Sequence, residues 1–294
     1  MAGRTVLITG ATSGIGRATA IALAAGGARL VLAVRDTAKG AALTKELGGK
    51  HVVRALDLSD LASVRRFAQS TTEPIDTLVN NAGVASLTLE RTSDGFELQF
   101  GTNHLGHFLL TTLLLPQVTA RVVTVASQAE RASRLDLEDL NWDHREFRGG
   151  RAYADSKLAN LLFTAELDRR LRAAGSPVQA MAAHPGLVVT AIYDDPRRRR
   201  NVWDRLLPLA GQQPDRGALP VLLAITGHLP DAAFTGPRHL MHMRGGAQVI
   251  GRSARAKDPE LARRLWTASE QLTGQSASEI GLAPRGTLNA YTSA

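Results

Sequence analysis

Short apolar runs alternate with amphipathic stretches along most of this chain. Thr5-Val6-Leu7-Ile8-Thr9 is followed by a helical pattern over 15–25, a run at 29–34 by one over 37–47, and a run at 52–56 by one over 61–71. Runs at 77–80 and 121–126 flank a long helical pattern from about 93 to 115. A helix over 152–173, a strand over 178–183, a helix over 216–226 and a weaker strand over 233–240 complete the series. Strand–helix alternation at this spacing predicts βαβ units on a parallel sheet with helices on both faces. Right-handed crossovers then make it an α/β Rossmann fold, a doubly wound sheet of about seven strands.

No repeat, low-complexity tract or Pro/Gly linker divides the chain, so residues 1–294 are expected to form one domain. Its core should span about 4–244, with a helical extension and tail over 245–294. Asp258 and Pro259 suit the N-cap and first turn of a helix over 260–272, with Gly274 as its stop, packed on the outside. The tail from 275 is expected to be poorly ordered. Two stretches break the rhythm: 130–150, rich in charge, and 193–215, with three prolines and the run Arg197-Arg198-Arg199-Arg200.

Composition narrows the function. The chain has no cysteine, which excludes disulfides, thiol nucleophiles and cysteine metal sites and fits a reducing compartment. No segment nears the roughly 20 apolar residues of a membrane span, and Met1-Ala2-Gly3-Arg4 leads straight into the first strand. A soluble, cytoplasmic protein is expected, with no membrane partner. The net charge of +8 raises nucleic acid as a partner. Arginines sit beside acids, however (Glu166, Asp168, Arg169, Arg170, Arg172), and aromatics are only 4%, so none is expected. The Arg197–Arg200 run reads as a solvated loop.

Candidate chemistry lies at the carboxyl ends of the predicted strands. After the first comes Thr9-Gly10-Ala11-Thr12-Ser13-Gly14-Ile15-Gly16, whose glycines permit a sharp turn and close approach of a ligand. The helix that opens there offers free N–H groups and a positive dipole end to a pyrophosphate, so Gly10, Ser13, Gly14, Ile15 and Gly16 are cofactor candidates. Val34-Arg35-Asp36 ends the second strand. Arg35 there suits the extra phosphate of NADP; alternatively Arg35 is solvated and Asp36 accepts the ribose hydroxyls of NAD. NADP(H) is the expected cofactor and NAD(H) the lesser candidate. Asp57-Leu58 and Asn80-Asn81-Ala82-Gly83 end the next two strands. Asp57 either accepts from an adenine amino group or caps the helix starting near 61, and Ala82 and Gly83 are small enough for a flat ring to rest on them.

Tyr153 and Lys157 stand four apart in a helical run, hence on one face. A nearby ammonium favours phenolate and draws a phenol down from its usual pKa of about 10, towards the range acid–base catalysis needs. His104 and His107 share a helix face without a third ligand, so these and His184 are read as core or hydrogen-bonding residues, and no metal is expected.

Together these motifs resemble the short-chain dehydrogenases/reductases. Gly10-x3-Gly14-x-Gly16, Asn80-Asn81-Ala82-Gly83, Asn103, Ser127, Tyr153-x3-Lys157 and Pro185-Gly186 occur in that family's order, over nearly two thirds of the chain. Thr102-Asn103-His104-Leu105-Gly106-His107-Phe108 and Tyr153-Ala154-Asp155-Ser156-Lys157-Leu158-Ala159-Asn160 are most similar to the retinol-dehydrogenase-like branch, which mostly handles lipophilic carbonyls and alcohols with NADP(H). The resemblance implies that Tyr153 protonates the carbonyl oxygen as hydride arrives, and that Lys157 tunes Tyr153 and holds the nicotinamide ribose. It further implies that Ser127 donates to the same oxygen, and that Asn103 holds a water linking Lys157 to solvent. Pro185, Gly186, Val188 and Thr190 would meet the nicotinamide and phosphates. A small carbonyl or alcohol is then the partner, and a homo-oligomer is compatible with the family. The rival is a non-catalytic NADP(H) sensor or scaffold of the same fold, and such proteins usually lose the Tyr or Lys kept here.

Two departures stand out. Ala126-Ser127 replaces the family's frequent Ser-Ser, and twenty-six positions separate Ser127 from Tyr153, about twice the commoner gap. The extra stretch, 130–150, is expected to bulge outward and shape the substrate mouth.

Overall fold

The first apolar run becomes strand β1 (Thr5–Thr9), inside an eight-stranded sheet of the computed structural model, which describes residues 1–188 and 211–276. The other strands are β2 (Arg29–Val34), β3 (Val52–Ala55), β4 (Ile75–Asn80), β5 (Val118–Val125), β6 (Gln179–Ala183), β7 (Phe234–His239) and β8 (Arg244–Val249). Their spatial order is β3-β2-β1-β4-β5-β6-β7-β8; β1 to β7 run parallel and β8 antiparallel to β7. The doubly wound parallel sheet expected from the alternation is present.

Successive strand residues point to opposite faces, which sorts the apolar runs into two cores. Val6, Ile8, Leu30, Leu32, Val79 and Val123 meet helices α1 (Gly14–Ala25), α2 (Thr37–Leu47) and α6 (Pro214–Thr226). Leu7, Val31, Leu78 and Val122 meet α3 (Leu61–Gln69), α4 (98–114, with a π turn inside it) and α5 (Gly149–Ala173). Burial on both faces explains why these strands read as unbroken apolar runs instead of alternating ones.

Three features depart from the reading of the sequence. First, β8 is an additional strand that carries the sheet to residue 249, past the expected core limit of 244. Arg244-Gly245-Gly246-Ala247-Gln248-Val249 has no apolar pattern, and the turn before it passes through Leu240, Met241 and His242 at φ of +50°, +50° and +69°, without the glycines that usually announce such a turn. Second, helix α4 starts at Leu98 and not near 93. The fully buried carboxylate of Glu97 accepts from the backbone of Gln99 (3.0 Å) and Phe100 (2.6 Å), ending the loop before it. Residues Gly101–Leu105 of α4 form a π turn, a feature common at functional sites.

Third, the last helix, α7 (Pro259–Thr273), begins and ends where its caps indicated, with Asp258 accepting from Glu260 and Leu261 and Gly274 left-handed. It does not merely cover the outside. Trp266 is fully buried, edge-on to Phe108 (5.0 Å between centroids) and stacked on Phe163 (5.8 Å). Gln275, at the start of the expected tail, is buried as well; residues 277–294 lie outside the described residues.

Candidate active site

The carboxyl ends of β1, β2, β4, β5 and β6 open onto one cleft with a volume of about 670 Å³. It lies where the strand order reverses, between β1 and β4, the usual ligand position on such sheets. Gly10, Ser13, Gly14, Ile15 and Gly16 line it. Gly10 adopts φ +66°, in the left-handed region that favours glycine. At Gly16 a Cβ would collide with the Gly10 carbonyl and the Asn81 amide, so only glycine lets α1 start this close to the strand end. Ser13 occupies the N-cap of α1 without capping it through its side chain, which leaves first-turn N–H groups for an anion. Asn81 ties this loop to the end of β4 by donating to the carbonyls of Thr9 (2.8 Å) and Gly10 (3.3 Å).

At the β2 end, Arg35 and Asp36 both line the cleft, and their roles differ. Asp36 caps α2 by accepting from the Lys39 backbone at 3.0 Å, and pairs with the Lys39 ammonium at 3.3 Å. Its carboxylate is therefore engaged at the start of α2. Arg35 is exposed and makes no hydrogen bond or ion pair among the described residues. Asp57 and Leu58 line the same end. Asp57 accepts from the backbone (2.9 Å) and hydroxyl (2.6 Å) of Ser59, and α3 is capped by Asp60 instead, so the capping alternative for Asp57 is overturned.

Ser127, Tyr153 and Lys157 also line this cleft, as do Asn81, Ala82 and Gly83. Ser127 follows β5 and accepts from the Ala129 backbone at 3.1 Å, which leaves its hydroxyl proton for another acceptor. Lys157 is buried, donates to the Val125 carbonyl at 3.2 Å, and lies 5.5 Å from the Tyr153 ring centre. Burial pulls the Lys157 ammonium down from 10.5 to about 8. Asn103 sits in the π turn and does not line the cleft. Its Oδ1 accepts from Val84 N (2.7 Å), and its Nδ2 donates to Val84 O (3.0 Å) and Ser156 Oγ (3.1 Å). A methyl group built on Gly83 would stand 3.3 Å from Asn103 Oδ1 and 3.6 Å from Lys157 Nζ, so both residues back the same glycine.

Pro185, Gly186 and Val188 close the cleft beyond β6, while Thr190 and Arg197–Arg200 lie outside the described residues. The expectation that 130–150 shapes the mouth is not met among the described residues. The cleft lining stops at Ser127 and resumes at Tyr153; Val84, Ala85, Ser86, Glu90, Leu98 and Thr102 supply that wall instead. The stretch 130–150 packs behind that wall, Gly149 against Ser86 and Leu87 and Asp143 on Arg91 (2.7 Å), and is held further by Asp155, which accepts from Ser133 Oγ (2.6 Å) and Arg134 N (2.9 Å). The wall at 84–90 was signalled by its place directly after Asn80-Asn81-Ala82-Gly83, at a strand's carboxyl end, but the following helical pattern masked it.

His184, missed as a site residue, lines the cleft just before Pro185 and is held neutral by burial, its pKa lowered to about 4. His104 fits the core reading: it is buried among Phe100, Phe108 and Phe163 and bonds Ser269 of α7 at 2.8 Å.

Residues 4–201 match the short chain dehydrogenase family. Retinol dehydrogenase 13 of Homo sapiens is 38% identical over 95% of this chain and 87% of its own. A crystal structure of an uncharacterized protein from Mycobacterium paratuberculosis aligns with a TM-score of 0.81 at 49% identity, covering 94% of this chain and 95% of that one. A short chain dehydrogenase/reductase from Burkholderia phymatum in complex with NAD aligns with a TM-score of 0.57 at 26% identity (76% of this chain, 85% of that one). A protein from Beutenbergia cavernae, described as an NAD(P)-dependent gluconate 5-dehydrogenase with bound NADP, aligns with a TM-score of 0.60 at 28% identity (76% and 90%).

Proposed function

This chain belongs to the short chain dehydrogenase family, close to its retinol dehydrogenases, and we propose that it interconverts lipophilic carbonyls and alcohols with NADP(H). Membership makes it an oxidoreductase with a nicotinamide cofactor. The observation that supports the finer reading is that Ser127, Tyr153 and Lys157 line the same cleft as the glycine loop, with Lys157 5.5 Å from the Tyr153 ring centre.

A nicotinamide held in the cleft would supply the hydride for reduction, or take it up in oxidation. Tyr153 gives its phenolic proton to the carbonyl oxygen during reduction and takes it back during oxidation. Ser127 donates a hydrogen bond to that oxygen, where negative charge develops. Lys157, charged and buried, favours the phenolate and so keeps Tyr153 an effective proton donor and acceptor. Gly10, Ser13, Gly14, Ile15 and Gly16 would hold the pyrophosphate through backbone N–H groups. Ala82, Gly83, Pro185, Gly186, Val188 and Thr190 would frame the nicotinamide. Asn103 would hold a water through its main-chain carbonyl, because its side-chain amide is occupied by Val84 and Ser156.

The preference for NADP(H) rests on Arg35, which has no protein partner among the described residues, and on Asp36, which is committed to α2. A guanidinium in that place pairs with a 2′-phosphate. Asp57 and Leu58 would border the adenine. The test is a panel of aldehydes, ketones and secondary alcohols followed by NADPH absorbance, with NADH in parallel. Turnover of lipophilic members with NADPH supports the reading. Turnover only with NADH overturns the cofactor assignment, and no turnover with either overturns the activity.

A further inference from the structure

We propose that His107 is a positioning residue, a neutral imidazole that ties the cofactor loop to the Lys157 wall through two different ring nitrogens. The inference rests on the oxidoreductase reading above for its consequences, although its geometry stands without it. His107 lies in α4 just past the π turn, is buried, and does not touch the cleft. Its Nδ1 stands 3.0 Å from the carbonyl oxygen of Asn103, and its Nε2 stands 2.9 Å from Thr9 Oγ1.

The proton directions follow from chemistry. A carbonyl only accepts, so Nδ1 carries the proton. Burial keeps the ring uncharged, its pKa lowered to about 4, so Nε2 is bare and accepts the Thr9 hydroxyl proton. The oxygen of Thr9 then has both lone pairs for N–H groups, and it accepts from Asn81 N and Ala82 N, each at 2.9 Å. Every hydrogen-bonding position of that buried hydroxyl is used. The competing acceptor, Val79 O, is farther away at 3.4 Å.

Each end of the ring serves a different part of the site. At the Nε2 end, Thr9 holds Asn81, whose amide in turn holds the glycine loop through Thr9 O and Gly10 O. At the Nδ1 end, the ring holds the Asn103 carbonyl in the π turn, and the Asn103 amide fixes Val84 and Ser156 behind Gly83 and Lys157. One ring therefore sets the spacing between cofactor support and proton-relay support.

Two conservative variants separate the ends. The amide of His107→Asn reaches the Nδ1 position and keeps the bond to Asn103 while losing Thr9; that of His107→Gln reaches the Nε2 position and does the reverse. Losing one buried hydrogen bond is expected to raise the NADPH dissociation constant about tenfold in His107→Asn, with a smaller fall in kcat. In His107→Gln, kcat should fall about tenfold, with a smaller change in NADPH affinity. Equal losses in both variants at matched thermal stability, or no loss in either, overturn the proposal.

Nitrogen-15 NMR of the histidine rings in cofactor-free protein provides a readout that needs no activity. A proton on Nδ1 and a bare Nε2 near neutral pH are expected. The opposite tautomer, or a doubly protonated ring, overturns the inference. A wild-type chain that neither binds nor oxidises NADPH while showing the expected tautomer would instead remove the oxidoreductase reading and leave the positioning bonds standing.

Discussion

Lys157 places its ammonium 5.5 Å from the centre of the Tyr153 ring while giving a hydrogen bond to the Val125 carbonyl at the end of β5. One turn of helix puts the two side chains together, and the strand end fixes which way the cation points. Buried charges interact more strongly than exposed ones because water no longer screens them. The phenol therefore lies beside a cation whose influence is little diluted.

Removing the phenolic oxygen should stop chemistry and spare cofactor binding. Tyr153→Phe is expected to lower kcat by roughly a hundred- to ten-thousandfold, the range for a general acid, with little change in NADPH affinity by fluorescence titration. Near-wild-type turnover would take Tyr153 out of its role.

Lys157 should be a burden on stability at neutral pH. Its folded pKa, about 8, lies below the unfolded value of 10.5, so the folded state holds its proton more weakly. The resulting penalty is complete below about pH 8, shrinks as pH rises towards 10.5, and is then gone. Its upper size is on the order of 3 kcal/mol, less whatever the bond to Val125 returns. Lys157→Met is expected to be inactive yet to unfold at a higher temperature at pH 7, with the advantage fading in alkali. A lower unfolding temperature at pH 7 would contradict this.

Arg35 should decide between the two nicotinamide cofactors. Arg35→Ser is expected to cut kcat/KM for NADPH about ten- to a hundredfold, as loss of a charge-assisted bond implies, and to leave the value for NADH nearly unchanged. Equal effects on both cofactors would place Arg35 away from a 2′-phosphate.

Acid should destabilise the fold through its buried imidazoles. His104, His107 and His184 have folded pKa values of about 3, 4 and 4, all below the usual 6.5, because burial disfavours their charged forms. The unfolded chain takes up these protons first. Stability is therefore full above pH 6.5 and falls progressively below it, by up to about 1.4 kcal/mol per pH unit for each ring. Urea unfolding between neutrality and about pH 5 checks the slope, and a flat profile would show that these rings are not buried neutral.

Asp155 should matter more for folding than for the substrate. Its buried carboxylate holds Ser133 and Arg134 and lies 3.6 Å from Arg145, which also pairs with Asp139 at 3.2 Å. Asp155→Ala is expected to cost about 2–4 kcal/mol by stranding these partners, measured by urea unfolding. At temperatures where the variant stays folded, KM for the carbonyl should change less than Ser86→Leu changes it, because 84–90 lines the cleft and 130–150 does not. The reverse order would restore 130–150 to the substrate mouth.

The sequence alone determined the parallel sheet, the glycine turn, the Tyr153–Lys157 face and both caps of α7. These rest on chemistry within a few residues: apolar period, freedom at φ > 0, one helical turn, a carboxylate beside free N–H groups. Only the tertiary structure decided that β8 adds an antiparallel edge and that Trp266 enters the core. It also chose 84–90 over 130–150 as the cleft wall, and joined His107 to Thr9 across ninety-eight positions of chain. Such outcomes depend on which distant segments compete for the same space and the same donors, and no local pattern carries that choice.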